Sequence, residues 1–372
     1  MLLIVTAVFL LCYAFLIFYY FYYWLHVKDF SLSNNNFTVS ISVVIAARNE
    51  EKNIARLLEA LKKQTYPRNY FEVIAVDDFS TDKTSEIIQP FLNDTIHLIQ
   101  PNINADQSSK KKAIEAGVQK AKGELIVITD ADCIPQKEWL QTIASFHNKT
   151  NSVFIAAPVK LKTYPTLLSI FQSLDFITLQ GITAASVTAN THTMCNGANL
   201  AYSRSAFFEA DGFSGIDKLA SGDDMLLMYK IWKKHPGKVS YLKMEQAIVE
   251  TEPAPTWKSF FQQRIRWSSK AGYYKDWRIK LVLLFVYLFN CLFFVLLTAC
   301  FWDSYYWYVL AFYLLGKLLI EFPFVFSVAR FYEAQTLLLY FPFLQPLHIT
   351  YTVVIGLVSQ FGTYQWKGRK TK

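Results

Sequence analysis

The sequence lacks the residue patterns that mark several common functional classes. Its five cysteines show no spacing typical of a zinc site, and their odd number argues against a disulfide framework. The six histidines show no metal-ligand spacing. The chain contains neither G-x-G-x-x-G nor G-x-x-x-x-G-K-[ST], which argues against a dinucleotide enzyme or an ATPase. No long basic run occurs in the central part of the chain, so the net charge of +8 favours a membrane surface over nucleic acid as a partner.

Charged residues are also absent from the start of the chain. Residues 1–27 contain no Lys, Arg, Asp or Glu, and a membrane span needs about 20 apolar residues. The segment ends in an aromatic cluster at residues 19–24, which is typical of a membrane interface. It is too long for the apolar core of a signal peptide and lacks a small-x-small cleavage site, so we interpret it as an N-terminal transmembrane anchor.

Three further apolar stretches predict a C-terminal transmembrane bundle at residues 280–363. Two of them, 281–302 and 304–329, are predicted to be simple spans. The third, 336–361, contains two prolines and predicts a broken or re-entrant hairpin. The second stretch carries Lys317 and Glu321, which are one helical turn apart and can neutralise each other. This pair either has a structural role or lines a path for a lipid headgroup or glycan, and the sequence leaves both interpretations open.

The basic residues near the spans predict the orientation of the protein. His26 and Lys28 follow the first span and nothing positive precedes it, so the central domain is expected to be cytoplasmic. The protein is then an integral protein of the cell or inner membrane. A basic tail at residues 364–372 follows the last apolar stretch.

Between the anchor and the bundle, residues 38–254 alternate between strand-like and helix-like segments. Strands separated by helices of this size form a mainly parallel sheet of the doubly wound α/β type. The predicted strands are Val39–Ala47, Phe71–Val76, Ile96–Ile99 and Glu124–Thr129, with helices starting at Glu50 and at Ala113–Ala121 and Trp139–Phe146. Because ligands bind beyond the carboxyl ends of such strands, residues 48–51, 77–82 and 130–132 are expected at one edge of the sheet.

The segment VITDADCIP places Asp130 and Asp132 directly after a buried strand. Two unpaired like charges this close repel each other and destabilise the fold. A divalent cation such as Mg²⁺ or Mn²⁺ reverses this effect, because it takes carboxylate and phosphate oxygens as ligands. The pair therefore predicts a metal site that binds a diphosphate. Capping of the segment that follows, near Pro135, is the alternative interpretation.

Two more acidic pairs carry candidate functions. In VDDFSTDKT, Asp77 and Asp78 follow a buried strand and could accept hydrogen bonds from a nucleobase or a ribose. Turn formation and helix capping explain the other polar residues of that segment. In ASGDDMLLMYKI, Asp223 and Asp224 begin a helix, where the helix dipole favours acidic residues. A carboxylate fixed there could also act as a general base on an acceptor hydroxyl.

Six motifs occur in the order seen in family 2 glycosyltransferases. They are SVVIAARNEEKNI, VDDFSTDKT, TDADC, CNGANLAYSRSAF, GDDMLLMYKI and QQRIRW. The chain resembles the membrane-bound members of that family, which are relatives of the cellulose, chitin and hyaluronan synthases. The resemblance covers roughly residues 40–270 and the flanking spans, and single motifs are weak evidence while six in order are strong.

The resemblance implies a GT-A fold, a divalent metal cofactor and a nucleotide-diphosphate sugar donor, expected to be a UDP-sugar. It also implies roles for individual residues. The nucleoside is assigned to Asp77 and Asp78 with Arg48 and Glu50, the metal to Asp132 with Asp130, and further substrate contacts to Asn196 and Gly197. Asp224 is the implied base, with Asp223 in place of the usual glutamate. The last motif assigns substrate contacts to Gln263, Arg266 and Trp267.

The last motif lies in a predicted interface helix at residues 255–278. Apolar residues recur at helical spacing, and four basic residues supply positive charge on the same segment, which favours a position at the bilayer surface. The apolar residues are Trp257, Phe260, Phe261 and Ile265, and the basic ones are Lys258, Arg264, Arg266 and Lys270. The resemblance adds that Arg266 or Gln263 faces the diphosphate and that Trp267 lines the acceptor path.

A lysine run, KKKAIEAG at Lys110–Gly117, is predicted to be a solvated helix start. The alternative is that Lys111 or Lys112 reaches the donor. Together these features predict a membrane glycosyltransferase that inverts the anomeric centre and acts on a lipid-linked or polysaccharide acceptor, as in cell-envelope polysaccharide synthesis. The alternative from another class is a non-catalytic subunit that binds nucleotide sugars or translocates glycans.

Overall fold

The computed structural model describes residues 1–28, 30–32, 39–104, 109–191, 194–216, 222–274, 276–360, 364–366 and 369–371. The chain forms two compact units. The helical unit contains Met1–Val27, Thr163–His192 and Pro253–Tyr364, and the α/β unit contains Lys28–Lys162, Thr193–Glu252 and Gln365–Lys372. The α/β segment predicted at 38–254 is thus interrupted by a stretch that belongs to the helical unit.

The elements follow one another along the chain in mixed order. The helices are α1 (Leu2–Leu25), α2 (Ile54–Lys62), α3 (Thr84–Ile88), α4 (Lys110–Lys120), α5 (Trp139–Thr150), α6 (Leu167–Thr188), α7 (Arg204–Glu209), α8 (Asp223–Lys234), α9 (Trp257–Ser268), α10 (Trp277–Ala299), α11 (Tyr305–Phe331) and α12 (Phe341–Val358). The strands are β1 (Ile41–Ala47), β2 (Phe71–Asp77), β3 (Ile96–Ile99), β4 (Leu125–Ile128), β5 (Cys133–Pro135), β6 (Phe154–Ala156), β7 (Val159–Leu161), β8 (Leu200–Ser203), β9 (Val239–Tyr241), β10 (Val249–Thr251), β11 (Tyr364–Trp366) and β12 (Arg369–Thr371).

A mixed sheet of order β3-β2-β1-β4-β8-β6-β9 forms the centre of the α/β unit. Strands β3, β2, β1 and β4 are mutually parallel, as the alternating pattern predicts, whereas β8 runs antiparallel to β4 and β6. Ala47 pairs with Asp77, and Val44 pairs with Ile128. The carboxyl ends of β2, β1 and β4 therefore meet at one edge of the sheet, which we call the acidic edge after the aspartates that follow β2 and β4.

The core of this unit follows from the apolar spacing of its helices. The predicted apolar face of α2, formed by Ile54, Leu57, Leu58 and Leu61, is fully buried. Helix α4 packs on β1 and β2 through its small and apolar residues. Burial of this kind, on the order of 25 cal/mol per Å² of apolar surface, holds the strands in the register that forms the acidic edge.

Gly123 lies just before β4 and permits a close approach of two backbone segments. Its N–H donates a hydrogen bond to the Ser42 hydroxyl at 2.8 Å. A Cβ at this position would lie 2.5 Å from the Ser42 backbone nitrogen and 2.6 Å from the Ile41 carbonyl carbon. These are backbone atoms of β1, so they cannot move aside without disturbing the central strand.

We therefore expect Gly123→Ala to destabilise the α/β unit by about 1–3 kcal/mol, the usual cost of overpacking. Thermal unfolding of the purified protein, followed by circular dichroism, measures this change as a lower Tm. Gly272→Ala is the matched control, because a Cβ there meets no atom within 4 Å. Equal midpoints for the two variants would contradict the close approach.

The helical unit is built from long apolar helices. Within the described residues, five helices are long and apolar enough to cross a membrane: α1, α6, α10, α11 and α12. Several of their large apolar side chains face outward, and in α1 the exposed fractions reach 71% for Leu11 and 77% for Phe15. Apolar surface of this extent is unfavourable in water and favourable in a bilayer. The predicted spans at 281–302 and 304–329 correspond to α10 and α11.

Helix α6 is a membrane-length helix that the sequence analysis missed. Its apolar run is broken by Gln172, Asp175 and Gln180, all of which are buried. The helix lies in the chain between β6 and β8, and these two strands pair with each other residue by residue. A single membrane crossing would place them on opposite sides of a bilayer. Helix α6 is therefore a packing helix of the helical unit rather than a simple span.

The predicted hairpin at 336–361 is wrong. Residues Gln335–Tyr340 form a 3₁₀ turn and α12 is one continuous helix of 18 residues. Pro342 lies in the first turn, where the missing N–H would have no helical partner in any case. Pro346 removes one backbone hydrogen bond, that to the carbonyl of residue 342, and the helix continues beyond it.

Lys317 and Glu321 form part of a buried polar network in the helical unit. The Lys317 ammonium donates to Glu321 and to Gln345 Oε1, the latter at 2.8 Å. The Gln345 amide donates to Glu321 Oε2 at 2.8 Å, and the Tyr13 hydroxyl donates to Glu321. The network joins α1, α11 and α12. Because the pair is bonded to three helices, the structure favours the structural interpretation over a path for a headgroup or glycan.

Candidate functional site

The loops that follow β1 and β2 are tied together at the acidic edge. Arg48 Nη1 donates a hydrogen bond to the Asp78 carbonyl at 2.7 Å. The Asn49 N–H donates to the Ser80 hydroxyl at 3.0 Å, and the Asp78 N–H donates to the Ala47 carbonyl at 2.8 Å. These contacts connect the Arg48–Glu50 loop to the segment that contains Asp77 and Asp78, as the sequence analysis predicts.

The carboxylates of this region lie in protected positions. Asp78 is buried and Asp77 nearly so, with Asp77 Oδ1 accepting a hydrogen bond from the Ser80 N–H at 3.1 Å. Glu50 is also buried, and its Oε2 accepts from Asn53 Nδ2 at 2.9 Å. Buried carboxylates carry a large desolvation cost. Three buried carboxylates at one loop, those of Asp77, Asp78 and Glu50, are therefore better explained by binding of polar groups than by packing.

Asp82 stabilises a turn, whereas the N-cap position of α3 is held by Lys83. Its Oδ1 accepts from the Thr84 N–H at 3.0 Å, and its Oδ2 accepts from the Glu51 N–H at 3.1 Å. Slight burial opposes the charged form of Asp82, but these hydrogen bonds outweigh it and lower the pKa of the carboxyl. Asp82 therefore stabilises the two loops and is not a free ligand-binding group.

Two non-glycine residues in these loops have left-handed backbone conformations. Asn49 has φ of 53° and Phe79 has φ of 56°. Asparagine adopts this conformation readily, whereas a bulky aromatic residue does so at a cost of about 1–3 kcal/mol. Phe79 directly follows Asp77 and Asp78, so the strain lies at the acidic edge, where functional sites commonly keep it.

Asp130 and Asp132 flank the short turn between β4 and β5. The Asp130 carboxylate accepts a hydrogen bond from the Lys110 ammonium. Lys110 is the first residue of α4, and the Ser109 side chain caps that helix by accepting from the Lys112 N–H. The cap fixes where α4 begins and thereby directs Lys110 to the carboxyl end of the sheet.

The interpretation of the lysine run as a solvated helix start is wrong for two of its members. Lys111 is buried, and its ammonium donates to the Ile216 carbonyl at 2.6 Å. Lys110 is the residue that reaches the acidic edge, rather than the suggested Lys111 or Lys112. Which lysine points inward depends on the exact start of the helix, and sequence patterns define helix ends only to within a few residues.

Asp224, at the start of α8, lies in the same region. Its Oδ2 accepts a hydrogen bond from the Gly197 N–H at 3.0 Å. A Cβ on Gly197 would lie 3.5 Å from Asp224 Oδ2 and 3.5 Å from the Lys110 ammonium nitrogen. Asn196 stabilises the Gly197 loop, because its Oδ1 accepts from the Ala198 N–H at 3.0 Å. Gly197, Asp224, Lys110 and Asp130 thus form one cluster.

The start of α8 explains how Asp224 is fixed. The residue before the helix, Gly222, has φ of 84°, a conformation that glycine adopts without strain. Asp224 Oδ1 accepts a hydrogen bond from the Met225 N–H at 2.8 Å, and the helix N-terminus favours its negative charge. Asp223 is the first residue of α8, but its side chain lies outside the described residues.

The cluster is compatible with a divalent cation of the magnesium type. Among the described residues, no group of three or more His, Cys, Asp and Glu side chains is placed to hold a metal. Mg²⁺ and Mn²⁺ need only one or two carboxylates when phosphate and water supply the other oxygens. Asp130 and Asp132 are the candidates for those carboxylates, and Asp130 pairs with the Lys110 ammonium.

Comparison with known proteins agrees with this geometry. Residues 42–209 match the model of the family described as Glycosyl transferase family 2. The matched residues are similar to this family and make up less than half of the chain. The match begins in β1, ends with α7, and includes every residue of the cluster except Asp224.

The domain is similar to curated relatives over part of their length. The glycosyltransferase AglE of Haloferax volcanii is 32% identical over 127 residues, which are 34% of this chain and 40% of AglE. The probable glycosyltransferase YdaM of Bacillus subtilis is 26% identical over 237 residues, which are 61% of this chain and 54% of YdaM. The chain thus spans about half or less of these two relatives.

A solved structure extends the likeness to the whole fold. The mannosyltransferase PcManGT from Pyrobaculum calidifontis, determined in complex with GDP-Man and Mn²⁺, has a TM-score of 0.58 and 18% sequence identity. The alignment covers 97% of this chain and 99% of PcManGT. The α/β unit therefore has the predicted GT-A fold.

Cys133 is the cysteine next to the Asp130–Asp132 pair in the α/β unit. The residue is buried directly after Asp132. Burial, reinforced by the negative charges of Asp132 and Asp130, raises the pKa of the Cys133 thiol well above its ordinary value. Because the thiolate is the reactive form, the raised pKa makes the Cys133 thiol less reactive.

The last predicted motif belongs to the helical unit and not to the α/β unit. Gln263, Arg266 and Trp267 lie on α9, and all three are partly exposed. The expected basic face of this helix needs one correction. Arg264 is 2% exposed and pairs with Asp175, so it does not contribute to a charged surface. Nothing in the local sequence marks Arg264 as different, because its partner lies on another helix, α6.

Proposed function

We propose that the protein is a membrane glycosyltransferase that transfers a sugar from a nucleotide-diphosphate sugar to a lipid-linked or glycan acceptor. One observation carries the proposal. Next to Gly197, the Asp224 carboxylate at a helix N-terminus lies close to the Lys110 ammonium, which in turn pairs with Asp130 of the Asp-x-Asp pair. Negative and positive groups in this arrangement suit a ligand that brings both a cation and a diphosphate.

The acidic edge supplies the donor contacts in this proposal. Asp77 and Asp78, supported by Arg48 and Glu50, bind the nucleoside, because they are protected carboxylates that can accept from its imide and hydroxyl groups. Asn196 and Gly197 line the sugar side of the cluster. Asp132 and Asp130 hold a divalent cation, which when bound neutralises the charge of the leaving diphosphate. A nucleotide sugar and Mn²⁺ together occupy the similarly folded PcManGT.

Asp224 acts as the general base in the proposed reaction. As the acceptor oxygen bonds to the anomeric carbon, its proton passes to the Asp224 carboxylate. The bond between that carbon and the diphosphate oxygen breaks, and its electron pair leaves with the nucleoside diphosphate. A single displacement of this kind inverts the anomeric centre. Two backbone N–H groups, those of Gly197 and Met225, hold the Asp224 carboxylate in place.

The apolar helices of the helical unit favour an acceptor that is associated with the membrane. Five apolar helices are compatible with a membrane protein, and a soluble acceptor would not require them. The acceptor is therefore proposed to be lipid-linked or a growing glycan, with the family 2 domain on the cytoplasmic side as the basic residues after α1 predict. Gln263, Arg266 and Trp267 are proposed to contact the substrates, on the basis of the motif alone.

A donor panel tests the proposal. Membranes containing the protein are incubated with labelled UDP-glucose, UDP-N-acetylglucosamine or GDP-mannose, with polyprenyl phosphate in phospholipid vesicles as acceptor. We expect one donor to label a lipid or polymer product in the presence of Mn²⁺, and EDTA to abolish the labelling. A protein that binds the donors yet incorporates none of them would instead be a non-catalytic binding subunit.

Lys110 gives a further prediction within this function. Its ammonium lies at Asp130, so it can contact the diphosphate that the proposal places there. Lys110→Met should raise the donor KM by about tenfold, since a hydrogen bond to a charged group contributes about 1.5–3 kcal/mol. Lys120→Met, on the exposed far end of α4, is the control and should leave KM unchanged. Equal donor KM values for both variants would exclude Lys110 from the donor site.

A further inference from the structure

A buried ion pair connects three helices of the helical unit. Arg264 Nη2 of α9 lies 2.6 Å from Asp175 Oδ2 of α6, and the two side chains are only 3% and 6% exposed. His348 Nε2 of α12 lies 3.6 Å from Asp175 Oδ1. Burying charges costs much free energy unless they are paired, and even a paired set stabilises a fold no better than apolar residues of the same size. The ion pair therefore needs an explanation beyond stability.

The guanidinium of Arg264 is also placed against two aromatic rings of its own helix. Its central carbon lies 4.4 Å from the ring centroid of Trp267 and 5.0 Å from that of Phe260. Arg264 Nε and Nη1 are buried and have no hydrogen-bond partner among the described residues. The aromatic faces take the place of those acceptors, as in cation–π contacts.

Trp267 also contacts a residue of α6. The ring of Phe176, the residue after Asp175, lies 6.3 Å from the Trp267 ring at an interplanar angle of 44°. Two neighbouring residues of α6 thus affect the Trp267 indole. Phe176 contacts the ring directly, and Asp175 pairs with the Arg264 guanidinium that lies over the ring. Trp267 belongs to the Gln-x-x-Arg-Trp motif, and Arg264 occupies one of its unspecified positions. Asp175 and Phe176 belong to no motif identified in the sequence.

We propose that Asp175 and Arg264 are positioning residues for Trp267. Asp175 orients the Arg264 guanidinium, and the planar guanidinium fixes the indole in the conformation that meets the acceptor. This inference rests on the proposed function for the role of Trp267 in the acceptor path, but the positioning itself is a property of the helical unit. A lysine could neutralise Asp175 but could not stack flat on the indole, which explains why the position holds arginine.

The test uses the full-length protein labelled with 5-fluorotryptophan, and ¹⁹F NMR reports the environment of Trp267. The Trp267 resonance is assigned from its loss in Trp267→Phe. In the wild type we expect one sharp resonance, and in Arg264→Lys a shifted or broadened one. Lys258→Met is the matched control, because Lys258 is an exposed cation on the same helix and its loss should leave the resonance unchanged. An unchanged resonance in Arg264→Lys overturns the proposal.

A double variant separates positioning from stability. Asp175→Asn leaves the Arg264 charge unpaired, and Arg264→Met leaves Asp175 with His348 alone. Each variant should lower Tm, whereas the double variant removes both charges and should recover most of it. We expect the double variant to keep an altered Trp267 resonance. Its KM for polyprenyl phosphate should rise about tenfold at unchanged donor KM, because small misplacements at a reacting site have effects of this size or more.

Recovery of the Trp267 resonance and of the acceptor KM together with Tm would assign the ion pair a purely structural role and overturn the proposal. Such a recovery can be distinguished from failure of the proposed function. If the wild type transfers no sugar from any donor, the function fails, while the ¹⁹F result still decides whether Asp175 and Arg264 position Trp267.

Discussion

Asp224→Asn should lower sugar transfer by about 10²- to 10⁴-fold, the usual contribution of a general base. Asparagine keeps the size of the side chain and can still accept from the Gly197 N–H, but it cannot take the acceptor proton. Donor binding should remain within a few fold of the wild type, since the residues assigned to the nucleoside follow β1 and β2. Transfer is measured as the initial rate of label incorporation, and donor binding by equilibrium titration.

Asp94→Asn is the control for this prediction. Asp94 is exposed and precedes β3, so it lies at the amino ends of the parallel strands, away from the acidic edge. This variant should transfer sugar at the wild-type rate. A wild-type rate in Asp224→Asn would exclude Asp224 as the base, and another proton acceptor would have to be found near Gly197.

Asp132→Asn should lower transfer by about 10²- to 10³-fold, because removing one preorganised electrostatic group from a site costs that much. The reason differs from that for Asp224. Asparagine is a weaker ligand for a hard cation than a carboxylate is, so the variant should need much more Mn²⁺ for its residual activity. Asp224→Asn, in contrast, should keep the wild-type dependence on Mn²⁺.

The measurement is a Mn²⁺ titration of transfer for both variants and the wild type. A raised half-saturating Mn²⁺ concentration in Asp132→Asn alone is the expected result. The same half-saturating concentration in all three proteins would show that Asp132 does not bind the cation. Chelation with EDTA should stop transfer in the wild type, and adding Mn²⁺ back should restore it.

The acidic edge was predictable because each of its parts is local in the sequence. An apolar run followed by Asp77 and Asp78, and another followed by Asp130 and Asp132, each predict a strand and its carboxyl end. Parallel pairing then brings these ends together without further information. The observed register, with Ala47 opposite Asp77, agrees with that reasoning.

The features that were missed depend on contacts between distant segments. Helix α6 reads as ordinary mixed sequence, because Asp175 and the buried glutamines interrupt its apolar residues. Arg264 reads as one of four interface cations, since only the folded chain brings Asp175 to it. Lys110 rather than Lys111 or Lys112 reaches the acidic edge because α4 begins at Lys110, and a start one residue later would rotate a different lysine to that edge. For α6 and Arg264 the deciding interaction is a tertiary one that the local pattern does not contain, whereas for Lys110 it is the Ser109 cap that sets where α4 begins.

The most direct test of the central claim is the binding of a nucleoside diphosphate to the purified protein with and without Mn²⁺. Titration calorimetry with UDP and with GDP measures it without knowledge of the sugar or the acceptor. We predict that one nucleotide binds at least about tenfold more tightly with Mn²⁺, the effect of a single well-placed charge contact, and that Asp132→Asn abolishes this difference. Binding of neither nucleotide at saturating Mn²⁺, or equal binding in EDTA, would contradict the account.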